Sequence, residues 1–226
     1  MKIGILQTGH APDETKQVLG DYATMFARLL QGHGFDYASY NVVDNEFPAS
    51  VVECDGWLIT GSKHGVYEDH IWIPPLEDFI RGVREAGLPM IGVCFGHQII
   101  AQALGGRVEK FSGGWIAGPQ TYDFEGDKVV LNAWHQDQVI TPPDGAKVIA
   151  EGPHCANAAL LYGDRIFTVQ PHPEFPAEMV DGLVKYRAPG VLPPEMIADV
   201  ANTLDTPLDD QNFGARMAGF FKETKA

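Results

Sequence analysis

The sequence predicts an α/β fold of three layers: a central, mostly parallel sheet with helices on both faces and a small antiparallel extension. Three observations predict it. Short runs rich in Val, Ile and Leu alternate with amphipathic stretches of helical period through the first half of the chain. One run, Pro89-Met90-Ile91-Gly92-Val93, is continuously apolar, as a strand buried on both faces must be. The middle third, Arg107–Ile149, then changes to strand-like runs with few helical ones, where antiparallel strands extend the sheet.

Taken in order, Lys2–Gln7 reads as the first strand. Tyr22–Leu30 carries Tyr22, Met25, Phe26, Leu29 and Leu30 at helical spacing, and Gly32 and Gly34 end it. Asp36–Asn41 and Gly56–Thr60 read as strands. Leu76–Ala86 has helical spacing with Gly87 and Pro89 as stop signals, and Phe95–Leu104 is a helix closed by Gly105-Gly106. Gln120–Phe124, Lys128–Leu131 and Lys147–Ala150 are the strand-like runs of the middle third. Ala159–Leu161 and Ile166–Gln170 form a hairpin across Gly163-Asp164. After Pro171 the pattern turns helical, in a tail of about 178–226, with Glu178–Lys185, Glu195–Thr203 and Asn212–Lys222 as helices.

At 226 residues, 45% hydrophobic and 20% charged, the chain has the size and composition of one domain, 1–226, with a real core. A net charge of −14 argues against nucleic acid or an anionic membrane as partner, because phosphate binding is driven by Lys and Arg. No run approaches the roughly 18–20 apolar residues of a membrane helix. The N-terminus has no small-residue cleavage site after its short apolar run, so it reads as a strand and not a signal peptide. Three cysteines, Cys54, Cys94 and Cys155, are too few and too scattered for a disulfide framework, which points to a reducing compartment, the cytoplasm. No His or Cys cluster has zinc spacing, so no metal is expected.

The informative segment is Ile91-Gly92-Val93-Cys94-Phe95-Gly96-His97-Gln98. A buried strand runs straight into a helix, with glycines two before and two after the cysteine. This is the Gly-x-nucleophile-x-Gly elbow, whose sharp turn leaves no room for bulky flanks. A helix N-terminus also stabilises a thiolate, and the N–H of Phe95 is placed to bind an oxyanion. Cys54 and Cys155 lack that setting.

A thiol nucleophile needs a base, and the base needs an orienting acid. His97 lies one helical turn from Cys94, where helix geometry turns it elsewhere. His10, His33, His64, His70 and His154 sit in loop-like contexts without a partner acid in a telling position. His172 follows a strand in Gln170-Pro171-His172-Pro173-Glu174, where two prolines hold the backbone extended. At spacing two, His172 and Glu174 share a face, so the carboxylate orients the ring.

These residues resemble class I (triad) glutamine amidotransferases, a flavodoxin-like fold family. Cys94-Phe95-Gly96-His97-Gln98 is similar to the family's Cys-x-Gly-x-Gln motif, and Pro171-His172-Pro173-Glu174 to its second signature. Ile59-Thr60-Gly61-Ser62-Lys63-His64-Gly65-Val66-Tyr67 resembles its oxyanion loop, with Lys63 where Pro is common. Trp134-His135-Gln136-Asp137 resembles its substrate-pocket segment, with Gln136 where Gly is usual. Together with Gly20-Asp21-Tyr22, the likeness is nearest to free-standing members similar to the glutaminase half of GMP synthase.

The resemblance implies a Cys94–His172–Glu174 triad, oxyanion donors on Ser62 and Phe95, and substrate contacts from Gly61, Gln98 and His135. It implies an amidase or glutaminase acting on glutamine or another γ-glutamyl compound through a γ-glutamyl thioester, with no metal or organic cofactor. The partner is then a small-molecule substrate, with a separate synthetase as recipient of ammonia in one version. The alternative from another class is a non-catalytic stress- or redox-sensing protein with cysteine at a similar elbow.

Overall fold

The computed structural model describes residues 1–223. In chain order it runs β1 (Lys2–Leu6), α1 (Asp13–Leu19), α2 (Tyr22–Leu29), β2 (Asp36–Tyr40), a 3-10 turn (Val42–Asp44), β3 (Gly56–Ile59), α3 (Ile73–Glu85), β4 (Met90–Val93) and α4 (Phe95–Ala103). There follow β5 (Arg107–Lys110), β6 (Ile116–Phe124), β7 (Asp127–His135), β8 (Asp137–Thr141), β9 (Ala146–Gly152), β10 (Cys155–Tyr162) and β11 (Ile166–Val169). Helices α5 (Ala177–Tyr186), α6 (Pro194–Ala201) and α7 (Asp210–Glu223) end the described chain; the last three residues assigned to the helical tail lie outside it.

One nine-stranded sheet has the order β2-β1-β3-β4-β11-β10-β9-β6-β7, and β5 pairs with β8 in a separate two-stranded sheet. The run β2-β1-β3-β4-β11 is parallel. From β11 onward the pairing is antiparallel, beginning with the hairpin to β10. The predicted mostly parallel sheet with an antiparallel extension is therefore the observed architecture.

The two faces follow from strand alternation. Ile3, Ile5, Leu58, Ile91, Val93, Phe167 and Val169 point to one face, where Phe26 and Leu29 of α2 meet Phe213, Met217 and Phe221 of α7. Leu6, Trp57, Ile59, Met90 and Ile166 point to the other, against Leu76, Ile80 and Val83 of α3 and Ile99 and Ile100 of α4. A third cluster gathers Tyr22, Met25, Phe175, Met179 and Leu183, and it props the segment after β11 against α2 and α5.

Four elements depart from the pattern reading. Helix α1 buries only Thr15, so it offers no apolar stripe to detect. Helix α3 begins at Ile73 because Pro74 and Pro75 fall in its first turn, where a missing N–H breaks no helical bond. Strands β5 and β8 are 4 and 5 residues long and do not alternate buried with exposed positions, so no period of two marks them. The Gly20-Asp21-Tyr22 motif has a local cause. Gly20 takes φ 79°, and Asp21 caps α2 by accepting from the Tyr22 N–H at 3.0 Å while also accepting from the Ala11 N–H at 2.9 Å. Among the described residues, no helix is long and apolar enough to cross a membrane.

Gly4 of β1 lies opposite Trp57 of β3, and a Cβ there would stand 2.2 Å from the indole. Gly4→Ala is expected to destabilise the fold by about 1–3 kcal/mol through overpacking. In Gly4→Ala/Trp57→Leu, urea unfolding should give less than the sum of the two single losses. Full additivity would show that the two positions do not press on each other.

Candidate active site

Cys94 links β4 to α4 with φ 52° and ψ −103°, a left-handed conformation that a non-glycine residue holds at a cost of about 1–3 kcal/mol. Its flanking glycines are required by contact. A Cβ on Gly92 would lie 2.5 Å from the Gly96 carbonyl oxygen, and one on Gly96 would lie 2.3 Å from that of Ile59. The Cys94 N–H donates to the Val169 carbonyl at 2.9 Å and the Gly96 N–H to the Thr60 carbonyl at 3.1 Å. Phe95 lies between them as the first residue of α4, so its N–H has no acceptor within the helix.

His172 stands just past β11. Its N–H donates to the Asn132 carbonyl at 2.8 Å, and the Asn132 side-chain amide donates to the Phe175 carbonyl at 2.9 Å. The Phe175 ring stacks on the imidazole at 3.9 Å and 4°. His172 Nδ1 and Glu174 Oε1 are 2.7 Å apart, and both side chains are buried, Glu174 completely. Glu174 Oε2 has no partner among the described residues. Burial pushes the His172 imidazole down, but the Glu174 carboxylate and the Cys94 sulfur beside it more than reverse this and hold it well above its ordinary value. With Nδ1–H engaged by Glu174, Nε2 is left for Cys94.

Gly61 completes this contact. A Cβ there would lie 2.8 Å from His172 Cε1 and 3.7 Å from Cys94 Cβ. The Gly61 carbonyl accepts from the Thr60 hydroxyl at 3.0 Å, and the Thr8 hydroxyl donates to the Thr60 carbonyl at 2.9 Å. In a trans peptide the N–H points opposite the carbonyl, so the Ser62 N–H is turned away from these hydroxyls. Sequence reasoning misses Thr8 and Asn132, because a buried hydroxyl or amide inside a strand pattern carries no motif, and it quotes Thr60 in the loop without seeing its hydrogen bonds.

Two substrate-binding expectations are narrowed. Gln98 Nε2 donates to the Asp137 carbonyl at 2.7 Å and to Gln170 Oε1 at 3.0 Å, which commits both its hydrogens and leaves only its oxygen. His135 Nδ1 lies 3.2 Å from the Asp137 carbonyl, so Nδ1 carries the proton and Nε2 is left as an unpaired acceptor. Burial, with the nearby His172 charge, pushes His135 down to about 3, so it is neutral. Gln136 turns its amide to the Phe111 carbonyl at 3.3 Å. His97 is fully buried with Nδ1 2.8 Å from the Thr168 hydroxyl, away from Cys94.

Three other histidines do have partner acids. His10 lies 2.7 Å from Asp21 and 3.0 Å from Asp44. His64 and His70 both approach Glu68, and these three are the described residues grouped closely enough to hold a metal ion. The sequence spacing does not reveal this cluster, because tight turns and not a zinc motif assemble it. Cys94, Gly61, Ser62, Gln98, His135 and His172 all line one cleft of about 360 Å³. Trp115 and Trp134, 6.3 Å apart, and the cations Lys63, Lys110 and Arg187 line the same cleft.

The chain is an α/β protein with a cysteine on the turn from β4 into α4. The family model of Glutamine amidotransferase class-I matches residues 21–181, and the chain belongs to that family. It is similar to Gamma-glutamyl peptidase 4 of Arabidopsis thaliana, at 30% identity over 75% of this chain and 74% of that one. It is also similar to a glutamine-hydrolysing GMP synthase subunit of Halobacterium salinarum, at 29% identity over 69% of this chain and 84% of that one. Its fold matches a crystal structure of a glutamine amido transferase from Methylobacillus flagellatus, with TM-score 0.76, 22% identity, and coverage of 99% and 94%.

Two outcomes follow from the geometry. The Cys94 sulfur is among the groups that raise His172, so Cys94→Ala should lower the pH midpoint of the ring, followed by NMR. An unchanged midpoint would mean that the two groups do not interact. Gly61→Ala should displace the His172 ring; if a crystal structure of that variant leaves the ring in place, the contact is not tight.

Proposed function

We propose that the chain hydrolyses a γ-glutamyl amide, with Cys94 as nucleophile, His172 as general base and acid, and Glu174 as orienter. The observation that carries this reading is the strained Cys94 at a helix N-terminus beside a buried His172–Glu174 pair 2.7 Å apart. The Cys94 thiolate attacks the side-chain carbonyl carbon, forming a C–S bond and an oxyanion. The Ser62 and Phe95 N–H groups receive that oxyanion; one such donor is worth roughly 2.7–4 kcal/mol of barrier. The C–N bond then breaks as His172 protonates the leaving nitrogen. His172 next takes a proton from water, which attacks the thioester, and glutamate leaves with the thiolate restored. Gly61 leaves the ring room, and the Gln98 oxygen is an acceptor for the substrate's ammonium group.

The substrate we favour is a γ-glutamyl peptide or amine and not glutamine alone. A cleft lined by two tryptophans and three cations besides the reacting groups suits a leaving group larger than ammonia. Similarity to a gamma-glutamyl peptidase supports this. The similarity to a GMP synthase subunit favours a second reading, in which the chain supplies ammonia to a separate synthetase. On either reading the substrate is a small molecule, and the proposed setting is the cytoplasm.

Purified protein should release glutamate from γ-glutamyl dipeptides without any added chain, and faster than from glutamine. Cys94→Ala and His172→Ala should each lose roughly 10⁴-fold or more in kcat, with Glu174→Gln losing less. Cys54→Ala and Cys155→Ala should stay nearly fully active. Substantial turnover by Cys94→Ala sinks the triad, and turnover that appears only with a synthetase supports the second reading.

A further inference from the structure

The chain leaving Ser62 folds back over the cleft in a series of tight turns. The Glu68 N–H donates to the Gly65 carbonyl at 3.1 Å, the His70 N–H to that of Glu68 at 3.0 Å, and the Ile73 N–H to that of His70 at 3.0 Å. These turns bring three side chains to one point. Glu68 Oε2 lies 2.8 Å from His70 Nε2 and 3.4 Å from His64 Nδ1. All three ligand atoms fall within 4.8 Å of one another. The two imidazole rings are 4.2 Å apart at 68°, and Trp72 stacks on His70 at 5.6 Å and 11°, fixing that ring from behind.

Two imidazole nitrogens and a carboxylate oxygen are a donor set suited to zinc and its neighbours, and poorly suited to magnesium or calcium. A tetrahedral ion with ligands at about 2.1 Å sets ligand atoms about 3.4 Å apart, within the spread found here. All three residues come from seven consecutive positions on a turned backbone, so little rearrangement is needed for them to converge.

We propose that His64, Glu68 and His70 form a binding site for a zinc-class divalent ion at the mouth of the active-site cleft, with water in the fourth position. His64 and Glu68 line the cleft that holds Cys94, and the His64 N–H donates to the Ser62 hydroxyl at 3.2 Å. An ion there ties the loop carrying Ser62 and places a positive charge at the cleft entrance. The site stands independently of the hydrolytic reading, because its ligands take no part in the proposed acyl transfer.

The test is Co²⁺ titration of Cys94→Ala protein, which lacks the sulfur that competes for the same ions. Visible absorption should show one saturable four-coordinate site per chain, displaced by Zn²⁺ and not by Mg²⁺. In that background Glu68→Gln and His70→Ala should each weaken Co²⁺ binding roughly tenfold or more. His33→Ala, elsewhere in the chain, should bind as before. Thermal melting of the metal-free variants, unchanged from the parent, separates lost ligation from lost folding. Absence of saturable binding, or equal affinity in the Glu68→Gln and His70→Ala proteins, would overturn the proposal.

Discussion

The close approach of β3, β4 and the start of α4 is the constraint on which the site depends. At Gly92 and Gly96 the backbones come so near that no Cβ fits, and this packs the first turn of α4 onto the Ile59 carbonyl. The strain at Cys94 is sustained because the residues on either side are over-determined. The Cys94 and Gly96 N–H groups are hydrogen-bonded across to β11 and to Thr60, so the turn cannot relax without breaking sheet contacts. The same packing sets the Phe95 N–H free and brings Gly61 against His172. A sulfur on a looser turn would meet neither group.

A second consequence concerns charge. Glu174 is wholly buried with one oxygen unpaired, which is costly unless a cation compensates it. Among the described residues, His172 is the titratable partner bonded to it, and the imidazolium is held by Glu174 on one side and the Cys94 sulfur on the other. Neighbouring His135 and His97 are both pushed down to about 3, first by burial, so they add no competing positive charge. The site therefore concentrates one proton in one place. Phe175 and Asn132 then fix the plane of the ring that carries it.

Much of this is legible in the sequence where geometry forces residue type. The continuous apolar run of β4, the glycines about Cys94 and the prolines about His172 each encode a backbone demand. Helix α3 is blurred at its start and the short α1 is hidden, because prolines in a first turn look like breakers and one buried threonine makes no stripe. The supports of the site are less visible still. Thr8 reaches the Thr60 carbonyl, Thr60 holds that of Gly61 and Asn132 that of Phe175, bonds that no local period records. Gln98 is marked by its place in the Cys-x-Gly-x-Gln motif, but that motif does not tell that the fold commits both its hydrogens to Asp137 and Gln170. His64, Glu68 and His70 meet only because three turns follow one another, and their spacing matches no metal motif.

The loop from Gly61 to His70 shows how departures from a family pattern are absorbed. Lys63 stands where a stiffening proline is common in the family pattern, so stiffness must come from elsewhere. It comes from contacts along its length. The Thr60 hydroxyl holds the Gly61 carbonyl, Gln102 of α4 donates to the Val66 carbonyl at 2.8 Å, and the Tyr67 hydroxyl donates to Asp137 at 2.9 Å. Trp72, just past the loop, packs on Phe95 at 5.5 Å. These anchors reach α4 and β8, elements of the same chain, and none requires a second protein. A loop held in this way has its peptide groups oriented before substrate arrives, which is the condition for catalysis by preorganised dipoles. The proposed self-sufficient hydrolase needs that condition, whereas a glutaminase silent until its synthetase docks needs a loop left free to move.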